Sequence, residues 1–223
     1  MQMLTFFDLH VHAYPETDMP GEELLRVARR YGYAGIAIAN HDDCTDQRQS
    51  PAIYSGIELR ATSVSELNRK LKQYSGKVPL VMVHGGDEQL NLAALKDPKV
   101  DVLAHPCGEK GEVALNHILV RYAVENGIAI EFNMNAIIKS RRGDRVRILG
   151  RLRDNLELVR KYKARFILTS NARSIYDLRA PREMIALASL FGMRHEEAVR
   201  ALSDIPVEIL EKRWNKERKV ELI

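Results

Sequence analysis

Apolar and polar positions along this chain fall into two alternating rhythms. Short runs of β-branched and apolar residues recur at 4–11, 34–40, 52–59, 78–84, 100–105, 128–133 and 165–170, and each predicts a strand. The stretches between them carry a helical period. Residues 22–31 stop at Gly32 and 66–74 at Gly76, and Asp87 is placed to cap the start of 88–96. A helix over 113–126 ends at Gly127, and 144–163 is the longest helical stretch. Ala180-Pro181 opens another helix with proline at its first position, running to about Phe191, and two short helices near 195–203 and 206–213 follow. Seven strands followed mostly by helices, with no linker rich in Gly, Ser or Pro, predict an α/β fold. It is expected as one domain over 1–223, a TIM-barrel-like, irregular β/α barrel of parallel strands. A doubly wound open sheet is the alternative, weakened because no GxGxxG or GxxxxGK[ST] loop follows any strand.

The first strand ends in "DLHVH", Asp8 to His12. With a strand's period of two, Asp8, His10 and His12 are expected on one face and Phe7, Leu9 and Val11 on the other. Polar residues also gather at the C-terminal ends of the other strands: Asn40-His41-Asp42, Glu58, His84, His105, Glu131 with Asn133, and Ser170-Asn171-Ala172-Arg173. In a parallel barrel these ends meet on one face, where active sites sit. Five of the seven histidines lie there, while His117 and His195 fall in helical stretches and are expected at the surface. Imidazole and carboxylate together suit zinc, manganese or iron, and a cluster of such ligands can clamp a phosphate and supply a hydroxide. The candidate metal set is His10, His12, His41, Glu58 and His105.

That set resembles the polymerase and histidinol phosphatase superfamily, metal phosphoesterases opened by HxH on strand one and completed by DxH near the end of the chain. The closing motif departs from the pattern. Ser170-Asn171-Ala172-Arg173 stands where the superfamily has Ser-Asp-Ala-His. Asparagine is a neutral, poorer ligand, and arginine cannot be deprotonated in a protein and cannot ligate. At an effective dielectric of about 20, a like charge ~5 Å from a bound cation costs about 3 kcal/mol. A metal cluster here is at best partial, and the arginine makes the face receptive to a phosphate or carboxylate.

Composition, 45% hydrophobic and 29% charged, is that of an ordinary soluble globular protein. Charge changes the picture once it is mapped. The formal net charge is +4, yet 139–165 holds eleven Lys and Arg against Asp144, Asp154 and Glu157, so that segment is +8 and the remainder −4. Ile148, Leu149, Leu152, Leu156 and Val159 make one apolar stripe, and Arg147 and Arg151 project away from it. The dominance of Arg over Lys favours contact with a phosphate backbone, with a solvated charged helix as the alternative. Few aromatics interleave, so stacking on single-stranded bases is not the expected mode. Cys44 and Cys107 form no CxxC and are read as thiols without a special role, which suits a reducing cytoplasm. Gly85-Gly86 is read as a tight turn, with a backbone anion nest as the alternative. No secretory signal and no bilayer-spanning run are expected, hence no membrane partner.

Across its length the sequence resembles the archaeal and eukaryotic ribonuclease P protein component 3 family. The likeness runs from "DLHVH" through "GIAIANHDD", "VMVHGGDEQLNLAALKDPKVDVLAHP" and "NHILVRYAVENGIAIEFNM" to "FILTSNARSIYDLRAPREMIALASLFGM", with "DLRAPRE" (177–183) especially specific. The resemblance implies a TIM-barrel-like fold and a subunit of the ribonucleoprotein that removes the 5′ leader from precursor tRNA. In such complexes a large RNA carries the catalytic centre and uses magnesium; the protein stabilises and shapes that RNA beside a second small protein subunit. On this reading the chain supplies no catalytic residue and requires no cofactor of its own, although a residual divalent metal stays open. Its candidate RNA-binding residues are Lys139, Arg141, Arg142, Arg145, Arg147, Arg151, Arg153, Arg173 and Arg179. A free-standing metal phosphoesterase built on the strand-end His/Glu cluster, His84 included, is the alternative.

Overall fold

The computed structural model describes residues 5–43, 51–107 and 115–220, with side chains to residue 212. Seven strands are hydrogen-bonded in chain order, all parallel: β1 (Phe6–Val11), β2 (Tyr33–Ile38), β3 (Ile53–Leu59), β4 (Leu80–His84), β5 (Val102–Ala104), β6 (Ala129–Asn133) and β7 (Phe166–Thr169). Just beyond β7, Ala172 bridges to Val11 and its carbonyl accepts from the His12 amide at 2.8 Å. That contact brings the last strand back to the first and makes a nearly closed barrel rather than an open sheet. The helices are α1 (Gly21–Tyr31), α2 (Val64–Tyr74), α3 (Glu88–Lys96), α4 (His117–Asn126), α5 (Asn135–Lys139), α6 (Arg142–Tyr162), α7 (Pro181–Ser189), α8 (His195–Leu202) and α9 (Asp204–Val220). Among the described residues no helix is long and apolar enough to cross a membrane.

Local chemistry sets the boundaries. Gly32 and Gly127 close α1 and α4 in the left-handed conformation, with φ of 102° and 63°. The Asp87 side chain accepts from the Leu90 amide and starts α3. α4 begins at His117, later than the expected 113, because Asn116 caps it by accepting from the Ile118 and Leu119 amides. The long helix expected over 144–163 is α6, and the basic stretch begins just before it, at the end of α5. α5 ends at Ser140, and the Arg145 guanidinium donates to the carbonyls of Ile137 and Ser140, pinning the start of α6 against α5. α7 stops at Ser189, short of Phe191, and α9 runs well past the 206–213 expected of it. The Gly85-Gly86 pair is a tight turn: the two amides donate to Ala104 O and Asn91 Oδ1, which leaves no nest for an anion. Cys44 lies outside the described residues.

The expected alternation along β1 fails at one point. Asp8 pairs with Ile36 and Val11 with Ile38, so β1 takes three steps where β2 takes two. That is a β-bulge, and it exchanges the two faces of the strand. Phe7 and Leu9 therefore face the barrel lumen with Leu80, Met82, Val102, Ala104, Ala129 and Ile167, while Val11 packs outward under the helices. Asp8 does not share the face of His10 and His12. It points outward, where the amides of Ser170 and His10 donate to its carboxylate. Burial pushes its pKa up to about 6 against the pull of those hydrogen bonds.

The lumen thus divides in two. Its lower half is apolar and is plugged from below by Ile205, Ile209 and Leu210 of α9. Its upper half carries the polar side chains. Outside the strands, the helices bury a larger core in which Phe132 stacks on Phe191 with ring centroids 5.7 Å apart.

Candidate functional site

The upper lumen is organised around Glu58, at the end of β3 and almost fully buried. One carboxylate oxygen lies 2.9 Å from both His84 Nδ1 and His105 Nε2; the other lies 2.9 Å from His41 Nε2, 3.3 Å from His10 Nε2 and 3.8 Å from His12 Nε2. All five strand-end histidines therefore converge on one acid. Two further carboxylates hold three of the rings from behind. Glu131 lies 2.6 Å from His10 Nδ1 and also accepts from Thr169 Oγ1 and the His105 amide. Glu16 accepts from the His41 amide and lies 2.7 Å from His41 Nδ1 and 3.0 Å from His12 Nδ1.

Charge is balanced within this cluster. Burial works against a charged His10, but Glu131 and Glu58 on its two nitrogens overcome it and hold the ring protonated well above the usual histidine range. His41, between Glu16 and Glu58, is raised in the same way despite its burial. His12 goes the other way: burial, with the nearby His10 charge, lowers it to about 4, so it is neutral. Burial raises Glu58 and Glu131, yet their histidine partners win, holding Glu58 well below the carboxylate range and Glu131 at about 2. Glu16 is likewise depressed against its burial, and Arg173 Nη1 sits 2.8 Å from it.

The donor set fits a divalent ion in atom type and orientation. His10, His12 and Glu58 form one group of closely spaced donors; His12, Glu16 and His41 form a second, and His41, Glu58 and His84 a third. Carboxylates on the Nδ1 atoms hold the rings of His10, His12 and His41 with their Nε2 atoms 3.3, 3.8 and 2.9 Å from one Glu58 oxygen, and such outer carboxylates prepare imidazoles for a metal. His105 joins the cluster through Glu58. Arg173 opposes a cation by taking up Glu16.

Above the cluster the mouth opens into a cavity of about 950 Å³. Lys139, Arg141, Arg147 and Arg173, all candidates from the sequence, line it together with four of the histidines. The remaining candidates divide. Arg142 and Arg153 are exposed on α6, and Arg151 is half-buried near Cys107. Arg145 and Arg179 bind backbone instead: Arg145 joins α5 to α6, and Arg179 donates to the carbonyls of Tyr176 and Leu178. "DLRAPRE" is a loop brace. Asp177 accepts from the Arg173 amide and Ser174 hydroxyl, and Glu183 accepts from the Ala180 amide. His117 and His195 are exposed, as expected. Sequence reasoning missed Glu16, whose only signal was an acid four residues past His12, and Thr169, whose hydroxyl gave none.

These features define a class: a parallel β/α-barrel protein with a histidine–carboxylate cluster under a cationic mouth. The chain belongs to the RNase P subunit p30 family, whose model matches residues 5–218. It is 44% identical to ribonuclease P protein component 3 of Methanococcoides burtonii over 94% of this chain and 88% of that one. It is 31% identical to the component 3 of Methanothermobacter thermautotrophicus over 96% and 92%. In fold it is similar to a chain of an archaeal ribonuclease P solved with mature tRNA, at a TM-score of 0.77 and 20% identity over 93% of this chain and 90% of that one. A zinc-, histidinol- and phosphate-bound histidinol phosphate phosphatase from Lactococcus lactis shares the fold at a TM-score of 0.56 and 13% identity over 84% and 95%.

Proposed function

We propose that this chain is a protein subunit of ribonuclease P that binds and stabilises the catalytic RNA for removal of the 5′ leader from precursor tRNA. The observation that carries the reading is full-length family membership. The cationic α5–α6 segment beside the barrel mouth supports it as an RNA-facing surface. In this reading the partners are the ribonuclease P RNA, a second small protein subunit and, for the holoenzyme, precursor tRNA. Magnesium serves the RNA, and the chain alone cuts nothing. The cysteine usage accords with work in a reducing cytoplasm.

A free-standing phosphoesterase is not favoured, because Asn171 and Arg173 leave the closing ligand positions without an anion or an imidazole. A residual metal remains part of the proposal: His10, His12, His41 and Glu58 would hold a zinc- or manganese-like ion, with His105 and His84 on the far oxygen of Glu58. When bound, such an ion supplies Lewis acidity and charge; the residues around it orient imidazoles and balance carboxylates.

The test is 5′-leader removal by the cognate RNA at limiting magnesium, with the partner subunits present, with and without this chain, and with this chain alone. A lowered magnesium requirement and no cleavage by the isolated chain is the expected result. No effect on the RNA, together with phosphoester turnover by the protein alone, overturns it.

A further inference from the structure

We propose that the barrel mouth is a nucleotide-sized anion pocket that receives a phosphate presented by an unpaired stretch of RNA. The source of the phosphate rests on the RNA-subunit reading; the pocket itself rests on its geometry. The cavity of about 950 Å³ lies within the size range of sites that enclose single small ligands. Arg60, Lys139, Arg141, Arg147 and Arg173 line it. Among the described lining residues the carboxylates are Glu58 and Asp144, while Glu16 and Asp177 pair with Arg173 and Lys139 from outside the lining.

Neither lining acid is free to repel an anion. Glu58 meets imidazole nitrogens on both oxygens, and Asp144 is ion-paired with Arg147. The first turns of α6 supply Arg141, Asp144 and Arg147 to the wall, so the positive end of a 21-residue helix opens at the cavity. Arg141 caps that helix without a side-chain hydrogen bond, and its carbonyl accepts from the Asp144 and Arg145 amides.

A platform for a base lies next to this pocket. Tyr176 is 81% exposed, the most exposed large side chain among the described apolar residues. It sits in the loop between Arg173 and Arg179, and that loop is tied to the cavity wall by Lys139 Nζ, 3.6 Å from Asp177. An exposed tyrosine beside arginines is the pairing that recognises splayed, unstacked bases. The sequence hid it, because Tyr176 lies 35 positions from Arg141 and outside the basic segment.

The experiment is calorimetric titration of the full chain, in chelator to exclude metal-mediated binding. The probes are a single-stranded RNA tetramer with and without a 5′-phosphate, a nucleoside monophosphate and inorganic phosphate. Tight binding of the phosphorylated tetramer, with competition by the monophosphate, is expected. Arg147→Glu and Lys139→Glu should each weaken it about tenfold or more, and Tyr176→Ala should weaken the tetramer severalfold while leaving inorganic phosphate unchanged. Arg121→Glu, the same charge change on α4, should have no effect. Equal binding by all variants, no binding at all, or binding only without chelator overturns the pocket. If inorganic phosphate alone binds and the tetramer does not, a small-anion site replaces the RNA site. The leader-removal assay is read separately: if the chain still lowers the magnesium requirement while the tetramer fails, the pocket falls and the subunit reading stands.

Discussion

Arg173 and Asp8 both act through their placement in the fold, Arg173 on an acid of the cluster and Asp8 through its burial. Arg173 holds Glu16, the acid behind His12 and His41, and so biases the cluster toward internal ion pairs and away from a cation. Because His10 and His41 are protonated within the cluster, zinc must displace protons to bind, and its uptake should rise with pH. Arg173→Ala should tighten zinc binding by about tenfold or more, read by competition with a chromophoric chelator. Unchanged affinity would mean that the arginine does not govern the site. Asp8 carries a different signature. Its pKa rises from 3.8 to about 6 on burial, so the fold favours its protonated form. The unfolded chain ionises above about pH 4, and the penalty for ionising the native carboxyl accumulates from there to pH 6. Asp8→Asn should therefore gain about 3 kcal/mol relative to the parent protein between pH 4 and pH 7, measured by urea unfolding at each pH. A pH-independent difference would contradict the outward, buried placement. The five histidines were legible because each ends a strand and parallel strands share an end. Glu16 was not, since a loop delivers it and no periodicity marks loops. The orientation of Asp8 was hidden too, because the bulge between it and Val11 contains no glycine to signal it.

At the scale of elements, the basic segment is more specialised than its charge implies. Composition treats Arg145 like its neighbours, yet its guanidinium is committed to the carbonyls that end α5. Reversing it would confuse weaker RNA binding with a broken helix junction. Arg142, Arg147 and Arg153 are the cleaner set. Glu at all three should weaken binding to the ribonuclease P RNA and reduce the salt slope by about one for every phosphate that is no longer neutralised, while the unfolding midpoint stays near that of the parent. An unchanged slope would assign that face of α6 to a protein partner or to solvent. The helix at the other end of the barrel is structural. Ile209 is buried against the lumen, and Ile209→Ala should cost about 3 kcal/mol by denaturant unfolding. A cost under about 0.5 kcal/mol would mean that α9 is not a true plug. Sequence pattern found α9 only as a short helix near 206–213 and could not say what it covers, because a helical period does not name the surface a helix meets.

For the molecule as a whole, the seven-strand order and the face that carries the chemistry both follow from the βα rhythm, and both were legible. What pattern could not supply is the division of the barrel interior into an apolar lower half and a charged upper half. That division depends on packing between residues far apart in sequence. It lets one lumen serve two purposes: the lower half holds the barrel together, while the upper half balances three buried carboxylates against two imidazolium rings and a guanidinium. The α9 plug carries a further consequence, a kinetic one. Phe7 and Leu9 meet Ile205, Ile209 and Leu210 across nearly the whole chain, so the floor of the barrel is its least local contact. Closing so long a loop is entropically slow, and native packing there waits on the strands between. Until that floor seals, the apolar lumen stays wet and the segment holding α9 remains open to proteases. Pulsed proteolysis during refolding should therefore cut around 204–212 after the central strands are already protected.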